Sequence, residues 1–133
     1  MTRSTDGGGP SGAATEGTLR VRRVSGAAGP LVPLEIAASP RARARGLLGR
    51  DGIDGALLLS PAHGVHTLGM RFAIDVAFLD AHLRVLAVRT MRPGRLGLPR
   101  PAARHVLEAE AGAMAVWGLE RGASVEIAGG LNL

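Results

Sequence analysis

The chain has 133 residues, enough for one domain, and carries 16 basic residues, all arginine, against 11 acids for a net charge of +5. Cysteine is absent, which excludes disulfides and thiolate metal sites. No segment approaches the ~20 apolar residues that span a bilayer, and the opening residues lack the apolar run of a signal peptide, so a soluble, cytosolic chain is expected.

Residues 1–17, rich in Gly, Ser and Thr, cannot bury enough surface to offset ordering entropy and read as a disordered tail. Residues 18–133 then read as a single domain. Thr18 to Val24 alternates as a first strand, and Leu31 to Ala37 as a second whose Pro33 predicts an edge position. Ser39-Pro40 is a helix start, a capping hydroxyl followed by a residue suited to the first helical position. Ala44, Leu47 and Leu48 share one face, and Gly49 stops a helix of about three turns. Ala56 to Ser60 reads as a short buried strand.

Ile74 to Leu79 and Arg84 to Met91 read as a hairpin. A loop over Ala81, His82 and Leu83 pairs Phe78 with Leu86, Val76 with Val88, Asp80 with Arg84 and Asp75 with Arg89, so both acids meet an arginine and apolar residues face one another. Such a loop favours Gly at its last position, and a left-handed Leu83 costs ~1–2 kcal/mol. The Pro- and Gly-rich stretch from Arg92 to Ala102 has no regular structure and is long enough to be a working loop. His105 to Ala109 returns as a strand, Ala113, Met114 and Trp117 share a helical face ending at Gly118, and Ser124 to Ile127 closes the domain. Several short strands with two short helices imply a mainly-β sandwich or barrel-like fold.

Six arginines (84, 89, 92, 95, 100 and 104) fall between Ala81 and Leu107 without one acid. A patch of that sign attracts phosphate or acidic partners. Only Phe72, Phe78 and Trp117 are aromatic, however, too few for a base-stacking platform. A solvated basic loop is the simpler reading, and no specific nucleic-acid binding is expected.

Three segments carry a family resemblance: Arg45-Gly46-Leu47-Leu48-Gly49-Arg50, then His66-Thr67-x-Gly69-Met70-Arg71-Phe72-x-Ile74-Asp75-Val76-x-Phe78-Leu79-Asp80, then Val106-Leu107-Glu108 before a short helix. In order and spacing they resemble domain-of-unknown-function family 192 over residues 32–127. The resemblance implies a compact, mainly-β fold with short helices and names no substrate. Ala73 stands where it implies Pro, and Leu83 where it implies Gly.

The candidate site follows from the middle segment, where polar groups lead directly into an apolar strand. His66, Thr67, Met70 and Arg71 are expected to line one concavity, with Arg71 accepting a carboxylate or phosphate through charge-assisted hydrogen bonds. Asp75 with Arg89, and Asp80 with Arg84, are expected as structural ion pairs, and an acid paired with arginine is a weak general base. Glu108 ends the basic stretch and is expected to pair with an arginine. His63 and His66 lie three apart with no acid nearby, so no metal is expected, and the Gly-rich segments lack dinucleotide and phosphate-loop patterns, so no cofactor is expected either. The leading functional expectation is a binding or accessory module for an anionic small molecule or an acidic protein partner. An enzyme acting on a small anionic substrate is the alternative, and weak, nonspecific nucleic-acid binding through residues 84–104 comes third.

Overall fold

The structure, a computed structural model, describes residues 14–129. Nine elements follow in chain order: β1 (Thr15–Arg22), β2 (Ala28–Ala37), α1 (Pro40–Arg45), β3 (Ala56–Leu59), β4 (Ile74–Leu79), β5 (Val85–Met91), β6 (His105–Glu110), α2 (Ala113–Trp117) and β7 (Ser124–Gly129). The strands form one seven-stranded sheet in the order β5-β4-β6-β3-β2-β1-β7. Every pairing is antiparallel except β2 with β3. The sheet curls into a half-barrel whose edges touch at one end, where Val85 N donates to Ala123 O and Val125 N to Leu83 O. It is therefore the barrel-like form of the expected mainly-β fold, not two stacked sheets.

Alternation along the strands makes two apolar layers. Leu19, Ile36, Leu58, Leu79, Leu107 and Val125 point into the half-barrel, where Met114 of α2 is fully buried among them. Leu57, Val76, Phe78 and Val106 point outward, covered by Leu47 after α1 and by Met70. The central strands are covered on both sides, which is why every residue of β3 and β4 is buried and, Asp75 apart, apolar.

Several expectations are corrected in detail. The first strand begins at Thr15, inside the segment read as a tail, while residues 1–13 of that tail lie outside the described residues. Pro33 is not on an edge strand, since β2 has β1 on one side and β3 on the other. The parallel ladder begins only at Leu34 with Ala56, so Pro33 sits just outside it. Its carbonyl packs so closely on Gly55 that any Cβ there would collide, and Gly55 has φ 83°. A residue with no N–H and one with no Cβ thus share the point where the two strands diverge. The Ser39 hydroxyl caps α1 by accepting from Ala42 N at 3.1 Å, as expected, but Gly46 with φ 49° ends the helix after six residues, and Ala42, not Ala44, is the buried alanine.

The hairpin register holds at the turn and fails beyond it. Asp80 N donates to Arg84 O, and Leu79 pairs with Val85. A bulge then leaves Leu86 without a partner, so Phe78 faces Ala87, Val76 faces Arg89 and Asp75 faces Thr90. The expected Asp75–Arg89 pair does not form. Asp75 lies on the inner face, where Oδ1 accepts from the Thr90 hydroxyl at 2.7 Å and Oδ2 from Gly112 N and Met114 N at 2.9 and 3.2 Å, tying α2 to the sheet. Asp80 likewise uses Oδ1 for the backbone N–H groups of His82 and Arg84, not for the Arg84 guanidinium. Burial would raise the Asp80 carboxyl, but these two N–H groups and the nearby cations outweigh it and hold it below the ordinary range.

Candidate functional site

On the outer face of the sheet, the residues after α1 and the irregular segment leading to Met70 enclose a cleft of about 100 Å³. Arg43, Arg45, Leu47 and Leu48 line one side, and Val65, His66 and Met70 the other. Leu59 and Glu108 come from the sheet beneath. All three segments that carry the family resemblance therefore contribute to one concavity.

Glu108 is the unusual member. It sits on β6 with Leu57 of β3 on one side and Val76 of β4 on the other, in a fully covered part of the outer layer. Only 4% of the residue is exposed. Its carboxyl has no hydrogen-bond or ion-pair partner among the described residues, contrary to the expected arginine pairing. Arg50, at the end of the first signature segment, is already held by Glu35 in a two-point pair at 2.7 Å, which lowers the Glu35 carboxyl and raises the Arg50 guanidinium. Burial pushes the Glu108 carboxyl up to about 7, with no cation close enough to offset it.

The four expected site residues separate. His66 and Met70 line the cleft. The exposed His66 ring accepts from Leu68 N at its Nδ1, which leaves the proton of the neutral ring on Nε2. Thr67 is fully buried and does not line the cleft. Its hydroxyl donates to Arg92 O at 2.6 Å and accepts from Arg95 N at 2.9 Å, clamping the start of the basic loop. Arg71 turns away, pairing with Asp51 at 2.9 Å and reaching Gly49 O, both at the surface. His63 gives its Nδ1–H to Ala103 O at 2.8 Å, so the two histidines of that segment serve separate partners.

Two broader concavities are also present. One, of about 540 Å³, lies along β5 with Arg89, Arg100 and Arg121 at its sides, and another, of about 420 Å³, lies beside α2 over Asp75. Asp75 is fully engaged there. The Glu108 cleft is set apart by a buried carboxyl that has no partner among the described residues. Sequence reasoning took Glu108 for half of an ion pair. The signal that would have corrected this is its place on an outward-facing position of a strand flanked by two strands whose own outward-facing residues are all apolar.

The chain matches the family DUF192, described as Uncharacterized ACR, COG1430, over residues 22–127. It is similar to a UPF0127 protein of Pyrococcus abyssi, 40% identical over 62 residues, which is 47% of this chain and 53% of that protein. A UPF0127 protein of Pyrococcus furiosus is 34% identical over 62 residues, with the same shares. The chain thus spans about half the length of the Pyrococcus relatives it matches. Among solved structures, a Sinorhizobium meliloti 1021 protein whose name refers to transcription regulation superposes with a TM-score of 0.75 at 20% identity, covering 87% of this chain and 95% of that one. A protein of unknown function from Novosphingobium aromaticivorans gives 0.72 at 22% identity, covering 82% and 83%. At these identities the two structures share the fold alone. The length of the family match makes the assignment plain: the chain belongs to DUF192.

Proposed function

We propose that this domain is a small-molecule-binding module whose site is the cleft floored by Glu108. One observation carries the reading: a carboxyl 4% exposed, without a partner among the described residues, opens onto a cavity of about 100 Å³. Leaving a buried polar group unpaired costs roughly 1–3 kcal/mol, and a ligand that supplies the missing hydrogen bond recovers that cost on binding. The apolar walls of Leu47, Leu59 and Met70 with a few convergent polar groups are the usual make-up of such sites. In this reading Arg71 and Thr67 support the surrounding loops and do not touch ligand.

A second reading, an enzyme, draws on the same group. A carboxyl raised to about 7 is poised to give or take a proton at neutral pH. The described residues lining the cleft include no Ser, Thr, Cys or Lys to act as a nucleophile beside Glu108, so binding is the leading reading.

A fragment screen followed through backbone amide resonances of the full chain tests the proposal. Binders should perturb Leu47, Val65, His66, Met70 and Glu108 together, and Glu108→Leu should abolish the response while raising the denaturation midpoint. Binders that map to the Arg89–Arg121 side, or that ignore Glu108→Leu, would overturn the assignment.

A further inference from the structure

The two ends of the cleft make opposite chemical demands. At the floor, Glu108 has no donor among the described residues. At the mouth, Arg45 is exposed, lines the cleft and has no partner among the described residues. Arg43 joins it there and uses only one guanidinium nitrogen, on Pro61 O at 3.4 Å. His66 adds an imidazole to the same rim. Between the ends stand apolar walls, chiefly Leu47, Leu59 and Met70. Among the described residues no hydrogen bond or ion pair joins these rim cations to Glu108. In this arrangement they do not satisfy it, and it does not neutralise them.

A purely anionic ligand would meet the arginines and leave Glu108 unpaired. A purely cationic one would have to pass the arginines to reach the acid. A ligand carrying both charges, a few atoms apart, answers both ends at once. We propose, resting on the assignment of this cleft as the binding site, that its ligand is a short zwitterion of the amino-acid class, with the ammonium group on Glu108, the carboxylate at Arg45 and Arg43, and a small apolar side chain against Leu59 and Met70. The volume of about 100 Å³ fits a molecule of that size and excludes a long peptide from the floor. Each contact is a charge-assisted hydrogen bond, the stronger kind, and the one at Glu108 is formed away from water.

The arrangement couples binding to a proton. The Glu108 carboxyl, raised by burial, is partly protonated near neutrality, and an ammonium group arriving beside it favours the ionised form, so the proton leaves. Calorimetry in buffers of different ionisation enthalpy reads that release directly.

Three matched probes separate the two ends: L-valine, 3-methylbutanoate, which lacks the ammonium, and isobutylamine, which lacks the carboxylate. L-Valine should bind at least about tenfold more tightly than either half, a difference of about 1.4 kcal/mol. Proton release should accompany L-valine binding near pH 7. Glu108→Gln should remove the advantage of L-valine over 3-methylbutanoate and abolish the release, whereas Arg45→Gln should remove its advantage over isobutylamine. If 3-methylbutanoate or isobutylamine alone binds the cleft as well as L-valine, the zwitterion assignment is wrong while the cleft remains the site. If none of the three binds, the zwitterion assignment also falls, and the amide-resonance screen decides separately whether the cleft binds anything.

Discussion

Glu108 makes the stability of the folded domain depend on pH in a direction opposite to that of most surface carboxylates. Its folded value of about 7 lies above the ordinary 4.5, so between those two values the folded chain holds a proton that the unfolded chain has lost. Stability therefore falls as pH rises through this window and levels off above it, by about 3 kcal/mol in all for a shift of this size. His105 acts the other way. Burial lowers its imidazole, only partly offset by Asp80, so its contribution is lost as pH falls through the histidine range, and its Nδ1 lies 2.7 Å from the Ser60 hydroxyl. Comparing the wild type with Glu108→Gln isolates the acid. The variant should gain stability over the wild type at pH 8 and lose that gain at pH 5, as read by denaturant unfolding. An equal difference between the two chains at both pH values would show that Glu108 is ionised or solvated in the fold.

Leu83 sets the scale of conflict within one element. It ends the β4–β5 turn with φ 64°, in the left-handed region, yet its side chain is buried in the inner layer. Left-handed backbone costs a leucine roughly 1–2 kcal/mol, and burial of its side chain returns roughly 1.5–3 kcal/mol, so packing wins by a small margin. Leu83→Ala forfeits the burial and keeps the strain, whereas Leu83→Gly forfeits the burial and relieves the strain. Glycine should thus be the milder replacement by about 1 kcal/mol, reversing the usual order at a buried position. Denaturation midpoints of the two variants decide it. A glycine variant less stable than the alanine one would mean that the turn is not strained. The turn itself was legible from sequence, because the spacing of Asp80 and Arg84 determines it locally. The register beyond it was not. A single extra residue at Leu86 moves Asp75 from Arg89 to Thr90, and the reason lies in a distant element: Asp75 must face inward to hold Gly112 and Met114 of α2. The place of Pro33 was misread for a related reason, since a strand partner further along the chain settled it, whereas the early end of α1 is set locally by Gly46.

Across the whole molecule, charge and structure separate more cleanly. The basic loop after β5 is held by its backbone: Thr67 binds Arg92 O and Arg95 N, Gly97 N donates to Val65 O, and Arg100 N to His63 O. The segment around Thr67 was legible as a place where polar groups gather, but the sequence could not show that Thr67 serves this loop while His66 and Met70 serve the cleft, because residues one apart turn to different partners outside regular structure. None of these bonds uses a guanidinium. Replacing Arg92, Arg95 and Arg104 with Gln should accordingly leave stability within about 0.5 kcal/mol of wild type, as expected for exposed charges. Arg100 differs, since its guanidinium lies 4.9 Å from the centre of the Phe78 ring and is half-buried. Arg100→Gln should cost about 0.5–1 kcal/mol through the lost cation–π contact. The same guanidiniums bear on the third functional reading. With the loop's cations at the surface and two of its leucines, Leu96 and Leu98, exposed in place of aromatic groups, contact with nucleic acid would be made to phosphates alone. Binding to a mixed-sequence duplex should then be weak, fall steeply as salt rises to about 0.2 M, and lose part of that salt dependence in the triple variant. Sequence-dependent binding that persists at that salt concentration, and that the triple variant abolishes, would move nucleic acid ahead of the cleft ligand as the function of this fold.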